Sequence, residues 1–165
     1  MIITGFQGIG KSTLASTKNV IIDLESSNFW RVNEDGTKSR PDDWYIYYVQ
    51  MAVDLSRQGY IVFVSCHEPV RKYLIENHGT ENICLIYPAP ELKEDWLKRL
   101  KLRYEASGLA KDEAAYKFAV NTYDSSIELL KAEAECGCYN AVIELDCIVY
   151  SLNDLVLKII REIGS

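Results

Sequence analysis

The feature that most constrains this chain lies within its first dozen residues. Gly5-Phe6-Gln7-Gly8-Ile9-Gly10-Lys11-Ser12 has the pattern G-x-x-x-x-G-K-[ST]. It follows the apolar stretch Met1-Ile2-Ile3-Thr4 and precedes Thr13-Leu14-Ala15-Ser16. A strand, a tight glycine-rich loop and a helix are the context in which that spacing builds a phosphate cradle. Glycines let the backbone curl so that successive N–H groups point inward at an anion, and the helix N-terminus adds its positive end. Gly8, Ile9, Gly10, Lys11, Ser12 and Thr13 are therefore the candidate triphosphate contacts. Lys11 is expected to bridge the β- and γ-phosphates and Ser12 to offer its hydroxyl to Mg²⁺, which makes ATP and Mg²⁺ the expected cofactors.

The remaining pattern alternates short β-type runs with helical ones. Strands are expected over Met1–Thr4, Asn19–Leu24, Tyr60–Cys66, Asn82–Tyr87 and Tyr139–Leu145. Val20-Ile21-Ile22, Ile61-Val62-Phe63-Val64 and Ile83-Cys84-Leu85-Ile86 are nearly continuous apolar runs, as in strands covered on both faces. Helices between them imply right-handed crossovers and a parallel sheet. Pro41-Asp42-Asp43 opens a helix with Trp44, Tyr48, Met51, Ala52 and Leu55 on its apolar face, closed by Gly59. Pro69 suits the first turn of the next, which ends near His78, a dipole-favourable cap. Further helices are predicted over Pro90–Ala106 and Lys111–Cys136, and Ser151 with Asp154 caps a last one. The polar run Asn33–Arg40 reads as a mobile surface loop. With no repeat or linker, residues 1–165 form one domain. The expected fold is a three-layer α/β P-loop domain, with a five-stranded parallel sheet ordered 2-3-1-4-5 and a helical lid.

Charge and cysteine usage narrow the partners. The 18 Lys+Arg against 24 Asp+Glu give a net charge of −6, which argues against sequence-independent nucleic-acid binding. The apolar runs are too short for a membrane span, and with a motif starting at Gly5 no leader is expected. Five cysteines, an odd number, suggest reduced thiols and a cytoplasmic protein. Cys84 and Cys147, in apolar runs, are expected in the core, and Cys136-Gly137-Cys138 lacks metal spacing. A small-molecule phosphate acceptor is the expected partner, with monomer or homodimer left open.

Motor and switch ATPases end an apolar strand in a carboxylate that holds Mg²⁺. Here Phe63-Val64-Ser65-Cys66-His67 has none before Glu68, and N-K-x-D is absent. The strand-end acid is Asp23, in Val20-Ile21-Ile22-Asp23-Leu24-Glu25. The stretches VIIDLESSNFW, VFVSCHEPVRKYL and IYPAPELKEDWLKRLKLRY, together with the N-terminal loop, resemble the P-loop nucleoside monophosphate kinases, especially small phage- and prophage-type members described as adenylate-kinase-like or deoxynucleotide-kinase-like. The resemblance spans most of the chain. It implies ATP- and Mg²⁺-dependent phosphoryl transfer to a nucleoside monophosphate. It places Arg71 against the acceptor phosphate, Arg99 and Arg103 as catalytic lid arginines on the transferring phosphoryl, and Asp23 and Glu25 as acceptor-binding carboxylates, with Asp23 and Ser12 serving the metal. The D-G-F-P-R signature of adenylate kinases is missing, with Ser65-Cys66-His67-Glu68-Pro69-Val70-Arg71 in its place, so the acceptor base stays open.

Helical spacing supports part of this reading. At about 100° per residue, Arg99 and Arg103 project with Leu92 and Trp96. Inward guanidinium groups need an anion, and the bland alternative is an exposed pair of Arg99 with Asp95. Phe29 and Trp30 either stack on a base or pack in the core. Arg31 and Arg40 flank the acceptor-side loop within reach of phosphate, and His67 either touches substrate or is structural. Tyr123-Asp124 has no assigned role. Two other functions fit the same residues: a P-loop kinase of a hydroxyl acceptor, or a nucleotide-binding regulatory or interaction protein.

Overall fold

A computed structural model of the chain describes residues 1–164. Its central sheet has five parallel strands in the order β2-β5-β1-β6-β7. These are β1 (Ile2–Gly5), β2 (Ile21–Asp23), β5 (Ile61–Ser65), β6 (Ile83–Pro88) and β7 (Ala141–Leu145). The order equals the expected 2-3-1-4-5 once the outlying strands β3 (Arg31–Val32) and β4 (Lys38–Ser39) are set aside. Ile2 and Ile3 on β1, Val62 to Val64 on β5 and Ile83 to Tyr87 on β6 are all buried. The continuous apolar runs arise because helices cover both faces of these strands.

The helices are α1 (Lys11–Ala15), α2 (Trp44–Arg57), α3 (Glu68–His78), α4 (Lys93–Ser107), α5 (Ala110–Glu135) and α6 (Leu152–Ile163). α1 packs with α6, and α2 packs with α3, as right-handed crossovers on opposite sides of the first strand require. α4 and α5 form a helical hairpin turned by Gly108 at φ +63°. Ser151 Oγ accepts from Asp154 N at 3.3 Å, the anticipated cap of α6. No helix among the described residues is long and apolar enough to cross a membrane.

Three expectations fail locally. The run Asn33–Arg40 contributes to a two-stranded antiparallel hairpin rather than an open loop, with Asp35 accepting from Thr37 and Asn33 bonding Thr37 and Ser39. Short polar side chains rebuild the turn that apolar periodicity does not signal. Cys147 is exposed, because β7 stops at Leu145 and the chain leaves the sheet. Met51 is 46% exposed while Val49 and Val53 are buried, so the buried face of α2 is rotated from the expected one.

Candidate active site

The phosphate loop joins β1 to α1 at the carboxyl ends of the strands, where open parallel sheets place their ligands. Gly8 and Gly10 adopt φ of +86° and +99°, which side chains rarely tolerate. Gly5 is needed for space, since a Cβ there would lie 2.5 Å from Ile9 Cδ1. α1 has only five residues. The loop N–H groups therefore carry more of the field on an anion than a helix dipole does.

Two aromatic side chains from distant segments clamp this loop. Trp96 Nε1 donates to Gln7 O at 2.9 Å, and Tyr150 OH donates to Ile9 O at 3.0 Å. Their rings lie parallel with centroids 6.4 Å apart. A Cβ on Gly8 would meet Leu100 at 2.9 Å, so that glycine also lets α4 approach the loop. Lys11 Nζ donates to Gly5 O at 2.7 Å and to Phe6 O at 3.4 Å. Burial pushes its pKa down, opposed chiefly by Asp23.

Ser12 Oγ donates to Asp23 Oδ2 at 2.5 Å, tying the start of α1 to the end of β2. Mg²⁺ keeps several waters and binds through one or two protein oxygens plus phosphates. Ser12 and Asp23 fit that donor set, although no group of three or more His, Cys, Asp or Glu among the described residues could hold a metal unaided. Gln7 Nε2, in the loop itself, is a buried N–H donor with no partner, consistent with an oxygen-rich ligand. Glu25 accepts from Ser27 Oγ at 3.2 Å and from Lys111 Nζ at 3.1 Å. Lys111 lies in the first turn of α5, so this pair links the α4–α5 hairpin to the β2 side.

The three anticipated arginines have different surroundings. Arg99 Nη1 donates to Ile148 O at 3.4 Å and Tyr150 OH at 3.3 Å, with Cζ 5.2 Å and 5.3 Å from the Trp96 and Tyr150 ring centres. It borders a notch of about 390 Å³ lined by Asp95, Lys98, Arg99, Leu102, Ile148 and Val149. Arg103 pairs with Asp112, which also accepts from Ser107 Oγ at 2.6 Å. The Arg103 charge adds a minor push to the lowering of the Lys11 pKa. Arg71 does not present itself to the cleft. Its side chain is 4% exposed, its Nε and Nη2 donate to Glu133 at 2.8 Å and 2.9 Å, and Nη1 donates to Cys66 O. Sequence spacing puts Arg71 just after the correct strand, but Glu133, contributed by the far end of α5, takes its donors.

The β2 side of the cleft is aromatic. Phe29 packs edge-on to Tyr48 at 5.4 Å and tilted against Trp44 at 6.1 Å, so it lies half-buried against the core. Tyr48 OH donates to Leu24 O at 2.6 Å and accepts from Ser65 N at 2.9 Å, bridging the ends of β2 and β5. Burial raises the pKa of that phenol. His67 lies open to the cleft, with Nδ1 2.9 Å from Ser65 Oγ and its ring edge-on to Trp44 at 5.6 Å. Crowding by protein and the charges of Arg40, Lys11 and Arg71 lower its pKa to about 4, so the ring is neutral at pH 7.

Sequence reasoning missed Trp96, Tyr150, Tyr48, Lys111 and Glu133 as parts of the site. For the three aromatics one signal existed: a buried Trp N–H or Tyr O–H needs a partner. Tyr123, left without a role, packs edge-on to Phe6 at 5.9 Å and donates to Ala89 O at 3.0 Å.

No family model and no curated protein matches this sequence. Among solved structures, the shikimate kinase from Bacteroides thetaiotaomicron is similar, with a TM-score of 0.51 and 15% identity over 99% of this chain and 97% of that one. At that identity the likeness defines the fold. The chain has the fold of a P-loop kinase along essentially its whole length.

Proposed function

We propose that this protein transfers the γ-phosphoryl group of ATP to a small acceptor, a nucleoside monophosphate in the reading we favour. The observation that carries phosphoryl transfer is the phosphate loop with Lys11 inside it and the Ser12–Asp23 oxygen pair at 2.5 Å on its rim. Bound Mg²⁺ would neutralise phosphate charge there. Ser12 and Asp23 would hold it, and Lys11 would exchange its loop carbonyls for phosphate oxygens. Gln7 Nε2 is the further unpartnered donor in the loop, and Arg103 would reach the phosphoryl group only by leaving Asp112. The notch beside Arg99 suits the donor nucleobase: the guanidinium supplies a flat stacking face, while Leu102, Ile148 and Val149 supply apolar contact. Lid closure would exclude water, so that ATP is not hydrolysed.

A monophosphate oxygen is already anionic near neutral pH and attacks without a base. A hydroxyl acceptor needs a carboxylate to take its proton, typically a 10²–10⁴-fold contribution. The second reading, a hydroxyl acceptor, is favoured by Glu25 at the cleft and by the likeness to a shikimate kinase. Glu25→Gln separates the two readings. Turnover retained with altered acceptor KM supports the monophosphate, and turnover abolished in the variant, with the wild-type product a phosphomonoester on a hydroxyl, supports the alternative.

A further inference from the structure

Three cysteines are exposed, Cys136, Cys138 and Cys147, and two of them share one turn. Cys136 closes α5 as its C-cap, Gly137 follows at φ +70°, and Cys138 leads through Tyr139 into β7. Cys138 Sγ turns back on the same turn and lies 3.8 Å from Cys136 O. A Cβ on Gly137 would meet nothing within 4 Å. The glycine is there for its backbone conformation, and the turn stands clear of the rest of the fold at that point.

Both ends of this turn are pinned. Cys136 N and Gly137 N donate to Glu133 O and Ala134 O at 3.2 Å and 3.5 Å. Across the turn, Tyr139 OH donates to Glu133 Oε2 at 3.1 Å, and Glu133 is itself held by the buried Arg71. Asn140 N then donates to Ile83 O, and Asn140 Oδ1 accepts from Ile83 N, each at 2.8 Å. The fold has therefore already met much of the entropy of bringing the two sulfurs together. Groups tethered this closely face each other at an effective concentration of about millimolar or above.

Metal binding does not account for the pair. No group of three or more His, Cys, Asp or Glu among the described residues could hold an ion, and a structural zinc site takes four ligands. Two exposed thiols on one turn, without further ligands, are suited to thiol–disulfide exchange. In a reducing compartment such bonds form transiently, in redox sensing or catalysis.

We propose that Cys136 and Cys138 form a redox-active dithiol whose substrate is a small-molecule disulfide, and that they close to an intramolecular bond on reacting with it. One cysteine thiolate attacks a sulfur of the small disulfide, whose S–S bond breaks and releases one small thiolate. The other cysteine thiolate attacks the resulting mixed disulfide and expels the second small thiolate. The two protons of the cysteine thiols end on the two small thiols; the protein loses two electrons and the reagent gains them. The turn precedes the amino end of β7, whereas the phosphate loop lies at the carboxyl ends of the strands, so the site does not depend on the kinase reading.

The test incubates the full chain with micromolar glutathione disulfide, then reads intact mass and, after alkylation, the peptide map. Wild type should lose two hydrogen atoms per chain, with the new bond between Cys136 and Cys138. Glutathione adducts on this pair should stay at least about tenfold below the closed form, because the neighbouring thiol outcompetes the dilute reagent. Cys136→Ser and Cys138→Ser should each stop at one glutathione on the remaining cysteine of the pair, and Cys147→Ser should close as wild type does. Excess reduced glutathione should reopen the bond, and melting temperature checks that every variant is folded. A pair left as free thiols overturns the proposal. So do two glutathiones on the pair, a bond joining two chains, or a closed form that persists in Cys138→Ser.

Discussion

The two halves of the cleft are built by different means. The half we propose for the donor is a glycine-rich loop whose carbonyls are clamped by single hydrogen bonds from Trp96 and Tyr150. The half we propose for the acceptor contains no comparable motif. It is a set of rings, Phe29, Trp30, Trp44, Tyr48 and His67, around the guanidinium of Arg40 and the carboxylates of Asp23 and Glu25. A phosphate loop binds a part common to every nucleoside triphosphate, so backbone geometry suffices. An acceptor differs between kinases, and side chains must define it.

The sharpest way to break the comparison is at Lys11. If the donor half does the chemistry, Lys11→Ala should lower kcat by at least about 10³-fold, roughly 4 kcal/mol of barrier. The melting temperature should stay within a few degrees, since the lost contacts are to loop carbonyls only. Steady-state kinetics beside thermal melts would check both.

Arg71 should behave in the opposite way. Removing one partner of a buried ion pair typically costs about 3–5 kcal/mol, because the other charge is left unpaired. Arg71→Ala should therefore reduce stability by that order in urea unfolding. Replacing both members, Arg71→Met with Glu133→Leu, should recover most of the loss. A stable Arg71→Ala protein with impaired acceptor use would instead return Arg71 to the acceptor site.

The Tyr48 hydroxyl tests whether the acceptor half needs its strand ends tied together. Tyr48→Phe leaves Leu24 O and Ser65 N without their partner, and such unmet groups cost about 1–3 kcal/mol. Acceptor KM should rise more than ATP KM.

Arg99 sharpens the division of labour inside the donor half. With its guanidinium at the base notch, Arg99→Ala should raise the ATP KM by about tenfold, near 1.4 kcal/mol, with a smaller change in kcat. A fall in kcat at constant KM would place Arg99 on the phosphoryl group after all.

The smallest effect concerns pH. Folded His67 binds its proton only near pH 4, against an ordinary value of 6.5. Between these values the unfolded chain holds more protons, so stability falls as pH falls through that window. His67→Gln should flatten this part of the stability–pH curve, measured by urea unfolding at steps from pH 7 to pH 4.

The same contrast explains what could be read from sequence. Strand and helix positions and the phosphate loop follow from apolar periodicity and one spaced motif, both of which are local properties, whereas the strand order comes with the P-loop fold that the family resemblance implies. The buried pair Arg71–Glu133 joins residues 62 positions apart, and the Trp96 clamp on Gln7 spans 89. No local pattern encodes such partners, so an arginine just after the right strand reads as a ligand although its donors are taken by a glutamate 62 positions on. Arg40 shows the reverse: in a polar run that resembles loose loop, it is a half-buried arginine with no carboxylate partner. The hairpin that carries it forms through side-chain bonds of Asn33, Asp35 and Thr37, which hydrophobic patterning cannot detect.

The most direct test of the central claim is product analysis with ATP, Mg²⁺ and each ribo- and deoxyribonucleoside monophosphate in turn, run with wild type and Lys11→Ala. The account predicts ADP release matched mole for mole by a nucleoside diphosphate from at least one acceptor, and neither product from Lys11→Ala. ATP bound without transfer to any monophosphate, or a new phosphate found on a hydroxyl, would contradict it.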